Sequence, residues 1–365
     1  MRPTNALILA CLALAALAPA PARADQPTFS ETAAAEAAAN ATYGPRTTPG
    51  QTIPVPDDVS PQLQRLIAAP FGNVADAPKT GDEWKAAVAA ANRTAMVNLD
   101  RLKRELGVTV EPTVVAGVKA YLVTPMTIPE KNRNRLVVAL HGGGYVFYPG
   151  EAGTGEGVMM AGFGGFRVLA VDYRMPPDFP FPAALDDAVA VWKEVVKTTK
   201  PENVALIGSS AGGGLALATI LRLKDEGLPL PGALAAGTPW SDLSSAGDSY
   251  AANAWLDNVL VAYGGMLEGM ARLYAGGESF RNPYLSPIYG DFSKFPPTIL
   301  TTGTRDLFLS NTVRAHRALK RAGAVADLEV YEGESHAQFL AGPSVPESRE
   351  AFADIAAFFD AHLGR

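Results

Sequence analysis

Hydrophobic and polar positions follow two alternating rhythms through most of the chain. Short, almost unbroken apolar runs occur at 119–123 (KAYLV), 135–140 (RLVVAL), 167–173 (RVLAVDY), 203–208 (NVALIG), 233–237 (ALAAG), 298–303 (TILTTG) and 328–333 (LEVYEG). Between them, at 183–196, 211–227, 310–323 and 347–363, apolar residues recur every three or four positions. Runs of the first kind are strands buried on both faces, and the longer periodic stretches are helices. Their alternation predicts an α/β fold, with a mostly parallel central sheet and helices on both faces. A further helix is expected to run to Leu106: Thr80 and Glu83 form a capping-box pattern at its start, and Gly107 is placed to stop it. Residues 242–290 break the rhythm, with no clear strand but helical stretches such as 258–277. An insertion there is expected to lie above the sheet as part of a lid.

The first residues follow a different pattern. Arg2 precedes an apolar run at 6–17, and alanines stand at the alternate positions 22 and 24. This is the pattern of a secretory signal peptide over 1–24, too short in its apolar part to span a bilayer. Residues 25–60, with ETAAAEAAANA at 31–41 and prolines every few residues from Pro45 to Pro61, read as a weakly ordered lead-in to a body at 61–365. The expectation is an exported protein, periplasmic or extracellular, with no stable membrane insertion after signal cleavage. The only cysteine, Cys11, lies in the segment to be removed, so disulfides, thiol nucleophiles and cysteine zinc sites are excluded from the mature chain. The formal net charge is −6, and no Lys/Arg run marks a nucleic-acid footprint.

Two adjacent serines stand where 203–208 runs into the next helix. Chemistry on open α/β sheets gathers at the carboxyl ends of strands. A serine on a tight strand-to-helix turn exposes its hydroxyl and needs small residues two positions away on either side. Gly208-Ser209-Ser210-Ala211-Gly212 meets that spacing with Ser210 at its centre, whereas centring on Ser209 would need glycine at Ile207 and Ala211. A phosphate cradle is the rival reading, but the dinucleotide spacing of glycines and a following lysine are both missing. Close helix–strand packing is the plainer alternative.

A serine hydroxyl needs a base, and the base needs an orienting acid. Of the four histidines, His336 directly follows the last strand and so falls at the same rim as Ser210. His316 lies within a helix, His362 is terminal, and His141 precedes the serine in a glycine loop. Asp306 follows the strand at 298–303 and is the chosen acid, ahead of Asp242, Asp257, Glu332 and Glu334. The order Ser, Asp, His is that of nucleophile-elbow hydrolases. His141-Gly142-Gly143-Gly144, after the strand at 135–140, supplies a flexible backbone whose N–H groups can face an oxyanion.

The segments HGGGY, VDYRMPPDFPFPAALDD, GSSAGGGLA, PW with DLS, NPYLSPIYGDFSKFPPTILTTGTRDLF and YEGESHAQF occur in this order over most of 115–340. With them the chain resembles the bacterial hormone-sensitive-lipase-like esterases of the α/β-hydrolase fold. The resemblance implies Ser210 as nucleophile, Asp306 as acid and His336 as base. It also implies oxyanion N–H groups from Gly143, Gly144 and Ala211, with His141 and Gly142 supporting the loop, and a cap built from about 61–108 and 242–290. Ser209 departs from the Asp or Thr common before the nucleophile, and Phe308 and Ser310 replace a Leu and an Asp after the acid. The function so implied is a serine carboxylesterase acting on small-molecule esters with short to medium acyl chains, with no metal or organic cofactor. A peptidase or amidase on the same fold and an inactive ligand-binding relative are the alternatives. Trp255, Tyr263, Met266, Met270 and Tyr274 either line the acyl pocket or are plain core.

Overall fold

The computed structural model describes residues 48, 50–72 and 76–364. The expected signal peptide and most of the lead-in lie outside the described residues. Residues from Pro54 to Arg365 form one compact unit. Its elements in chain order are α1 Pro61–Ile67, α2 Gly81–Leu106, β1 Val108–Val115, β2 Val118–Pro125, β3 Leu136–Leu140, α3 Gly155–Gly164, β4 Arg167–Val171, α4 Ala183–Val195, β5 Val204–Ser209, α5 Ala211–Asp225, β6 Ala233–Gly237, α6 Ser249–Ala252, α7 Met266–Ala275, β7 Thr298–Gly303, α8 Leu309–Arg321, β8 Ala326–Tyr331 and α9 Pro346–His362.

All eight strands join one sheet in the order β1-β2-β4-β3-β5-β6-β7-β8. Pairing is parallel from β4 to β8 and antiparallel where β2 meets β1 and β4. Every strand expected from the apolar runs is present. The one not expected, β1, is an edge strand whose sequence VTVEPTVV carries Pro112 and a half-exposed pattern. Proline is tolerated only at such an edge, and its presence hid the strand. Alternate residues of β3 point to opposite faces, Val138 and Leu140 toward α4, α5, α7 and α8, Val137 and Ala139 toward α3 and α9. Helix α2 spans both layers: Trp84 joins the first cluster, Leu99 and Leu102 the second.

The capping box at Thr80 and Glu83 forms as expected, and Gly107 ends α2 in the left-handed region at φ 62°. Helix α3 was not legible, because residues from Glu156 to Ala161 are all buried and leave no polar stripe. Within 258–277 only α7 is helical: Gly265, at φ 78°, starts it and the preceding residues turn instead. Among the described residues, no helix is long and apolar enough to cross a membrane.

Strand register decides where the chemistry collects. Leu140 pairs with Gly208, Ser209 with Gly237, and Gly237 with Thr301. The parallel strands therefore end level, and the loops after β3, β5, β6, β7 and β8 open at one rim.

Candidate active site

Ser210 follows β5 directly and has φ 59° and ψ −124°, a backbone conformation that residues with a Cβ rarely adopt. Its N–H donates to Gly237 O at 2.8 Å, and its carbonyl accepts from Gly214 N at 3.0 Å and Trp240 N at 2.8 Å. The strain is thus held on both sides by ordinary backbone bonds. The turn has no room for larger neighbours: a Cβ on Gly208 would meet Leu140 O at 2.5 Å, and one on Gly212 would meet it at 1.9 Å.

His336 Nε2 lies 2.9 Å from Ser210 Oγ, and His336 Nδ1 lies 3.0 Å from Asp306 Oδ1. The three expected residues meet at the rim. Both His336 and Asp306 are buried, and the edge of Phe308 packs on the imidazole with ring centres 4.7 Å apart. Asp306 Oδ1 also accepts the Phe308 N–H at 2.7 Å, and Oδ2 accepts the hydroxyls of Thr302 at 2.7 Å and of Thr238. Each carboxylate oxygen is therefore satisfied, and the acid is fixed in orientation.

The other acids do different work. Asp257 Oδ1 accepts the N–H groups of Val259 and Leu260 at 2.8 and 3.0 Å, and Oδ2 those of Leu307 and His336 at 2.8 and 3.2 Å. Burial and the nearby Asp306 raise its pKa, while His336 and the N–H groups of Leu307 and Leu260 oppose the rise. Asp257 ties down the backbone on which both Asp306 and His336 sit. Asp242 pairs with Arg314 at 2.9 Å, and Glu332 is exposed. Ser310, which stands in place of an Asp after the acid, exchanges two 2.9 Å hydrogen bonds with Ser249 and joins the start of α8 to α6. His316 Nε2 lies 3.3 Å from Ala326 O, and the His362 ring packs on Phe358.

The glycine loop faces Ser210 from the end of β3. Gly143 and Gly144 have φ 105° and 63°, and a Cβ on Gly142 would approach Ser209 O to 2.9 Å. His141 packs at the start of the loop. Its Nδ1 lies 2.7 Å from Gly142 O, its ring stacks on Tyr173 at 4.3 Å, and the Tyr173 hydroxyl donates to His141 O at 2.6 Å. Burial lowers the His141 pKa, against the opposing effect of Gly142 O and Asp172, and so favours the neutral ring. Ala211 opens α5, where an N–H has no intrahelical partner and can face an anion.

A cavity of about 500 Å³ opens onto Ser210 and His336. Its apolar wall includes Phe147, Val259, Leu260, Met266, Leu267 and Met270. Of the five residues left between pocket and core, only Met266 and Met270 line it. Trp255 is exposed against Phe71, the Tyr263 hydroxyl donates to Leu243 O at 2.6 Å, and Tyr274 stacks on Tyr145 at 3.7 Å. A larger groove of about 670 Å³, bordered by Lys85, Arg174 and Asp178, includes none of the triad.

Sequence reading missed Thr238, Thr302 and Glu156. Glu156 lines the same cavity and accepts the Ser209 hydroxyl at 2.6 Å. Its one signal was an acid just ahead of the apolar run VMMAGF.

A serine, an imidazole and a carboxylate within hydrogen-bond reach of one another, beside a glycine loop at the rim of a mostly parallel sheet, are the arrangement that serine hydrolases share. The family model for the alpha/beta hydrolase fold matches residues 137–340. The chain is 32% identical over 237 residues to an acetyl-hydrolase of Streptomyces hygroscopicus, covering 65% of this chain and 79% of that protein. It superposes on the crystal structure of an esterase, E25, with a TM-score of 0.85 and 41% identity, covering 87% of this chain and 99% of that one. An esterase from the bacterial hormone-sensitive lipase family superposes with a TM-score of 0.65 and 29% identity, over 79% of this chain and 100% of that one. The chain belongs to the α/β-hydrolase family, among the bacterial esterases of its hormone-sensitive-lipase branch.

Proposed function

We propose that this carboxylic ester hydrolase works through an acyl-enzyme on Ser210 and takes esters with short to medium acyl chains. An ester enters the cavity with its carbonyl carbon at Ser210 Oγ and its carbonyl oxygen toward the N–H groups of Gly143, Gly144 and Ala211. His336 Nε2 takes the Ser210 proton as Oγ attacks, and Asp306 stabilises the imidazolium through Nδ1. Donors aimed at the oxyanion lower the barrier by about 3 kcal/mol each. The tetrahedral intermediate collapses, the alcohol leaves with the proton from His336, and water repeats the route to free the acid.

The observation that carries this reading is His336 bonded at both ends, to Ser210 at 2.9 Å and to Asp306 at 3.0 Å. The apolar cavity beside it suits an acyl chain. Residues 61–108 and 242–290 serve as the cap: Ala91 of α2 and Met270 of α7 both reach the cavity wall. Export rests on the pattern of residues 1–24, and mass spectrometry of the mature protein from fractionated cells tests it by whether the chain begins at Asp25.

A fluorophosphonate probe and a panel of esters and matched amides test the chemistry. The expected result is one adduct on Ser210 with turnover of esters and not of amides. Comparable amide turnover would make the protein an amidase, and no adduct on folded protein would make it a binding module.

A further inference from the structure

Glu156 is an acid with no part in the relay, yet it is built in directly behind the nucleophile. It is the second residue of α3 and lies buried with five consecutive apolar or glycine residues after it. Its Oε1 accepts the hydroxyl of Ser209, itself 1% exposed, at 2.6 Å. Ser209 Oγ is held between that carboxyl and Gly237, where a Cβ on the glycine would come within 2.4 Å of it. One residue on, Ser210 carries the strained φ and ψ that turn its hydroxyl toward His336.

Placing a carboxyl there has a cost. Burial raises its pKa to about 7, and the hydrogen bonds from Ser209 only partly offset this. An apolar residue would avoid that penalty, so packing alone does not account for the acid. A carboxyl oxygen can accept the Ser209 hydroxyl whether Glu156 is ionised or protonated, and the bond is the stronger when it is ionised.

We propose that Glu156 is a positioning residue for Ser210, acting through the Ser209 hydroxyl to hold the nucleophile elbow in the geometry that meets His336. The proposal rests on Ser210 being the nucleophile. It acts on kcat more than on KM, because the apolar wall that would hold the ester is formed by Phe147, Val259, Leu260, Met266, Leu267 and Met270, while the Glu156–Ser209 pair touches the cavity only at its edge and acts on the turn that carries Ser210. The coupling through Ser209 is its distinguishing mark: once that hydroxyl is gone, the identity of residue 156 should matter little.

Four variants test this in the full chain, with kcat expressed per site labelled by fluorophosphonate so that misfolded protein is not counted. Glu156→Leu and Ser209→Ala are each expected to lower kcat about five- to tenfold with KM changed less than about twofold. Glu156→Gln, which retains the acceptor, recovers most of what Glu156→Leu loses. The Glu156→Leu/Ser209→Ala double variant is no slower than either single one, a coupling of the kind that direct partners show. Losses that multiply in the double variant, a glutamine as damaging as leucine, or an unaltered kcat in Glu156→Leu would each overturn it. Failure of the underlying reading looks different: the wild-type protein would then form no adduct at Ser210.

Discussion

Leu140 and Gly212 stand so close that a Cβ on the glycine would lie 1.9 Å from the leucine's carbonyl oxygen. The first turn of α5 is wedged against the end of β3, and this contact sets the nucleophile turn beside the glycine loop. Backbone meets backbone there, so no side-chain rotation can relieve an added methyl. Gly212→Ala is expected to destabilise the protein by at least about 3 kcal/mol. Gly227→Ala, at φ 65° with open space around it, should cost only about 1 kcal/mol. Urea denaturation of both variants checks the contrast.

Ser209 and Ser210 are chemically identical neighbours that face opposite ways, one to Glu156 and one to His336. Ser210→Ala removes the attacking oxygen and should reduce kcat by about 10⁴-fold or more, whereas Ser209→Ala retains substantial hydrolysis. Steady-state kinetics on one activated ester decides the ranking, and the reverse order would mean that the other hydroxyl is the nucleophile.

Asp306 and Asp257 both touch His336, but at different groups. Asp306 accepts from the ring and Asp257 from the main-chain N–H. Asp306→Asn should lower kcat by about 10⁴-fold by favouring the wrong imidazole tautomer, with folding retained. Asp257→Asn loses part of its acceptor capacity toward four N–H groups and should cost about 2 kcal/mol of stability, with the smaller rate effect. Activity and thermal melting of the two variants are expected to rank in opposite orders.

Glu334 gives the folded protein a pH dependence. Its carboxyl is buried beside Glu347 and Asp306, and burial first, then those charges, push its pKa up to about 8 against an opposing contribution from the Phe339 backbone. A raised pKa means that the folded state holds the proton more tightly than the unfolded one. The resulting stability is fully present below the ordinary glutamate range and is lost as pH rises from there through about 8. Each pH unit across that window costs up to about 1.4 kcal/mol. Glu334→Gln, which stays neutral, should therefore gain on the wild type as pH rises from 5 to 8.5, and a gap in melting temperature that does not widen would refute the assignment.

Seven strands, the capped helix α2 and the residues Ser210, Asp306 and His336 were legible in the chain because their signals are local. An apolar run, a capping box and a serine centred between small residues each fit within a few positions. Phe308 was readable only as a departure; its packing on the His336 ring was not. Helix α3 escaped notice because burial on all sides erases the polar stripe that marks a helix, and β1 because its proline argues against a strand until the strand is known to lie at an edge.

By itself the sequence determined seven of the eight strands, most of the long helices and which residue types could do the chemistry, since these follow from short-range pattern. Tertiary structure alone decided that five strand ends lie level, that Thr238 and Thr302 hold Asp306, that Met266 and Met270 rather than Trp255 face the cavity, and that Glu156 grips Ser209. Apart from Thr302 and Asp306, four positions apart, those pairings join residues dozens of positions apart. They are set by strand register and helix packing, which no local periodicity encodes.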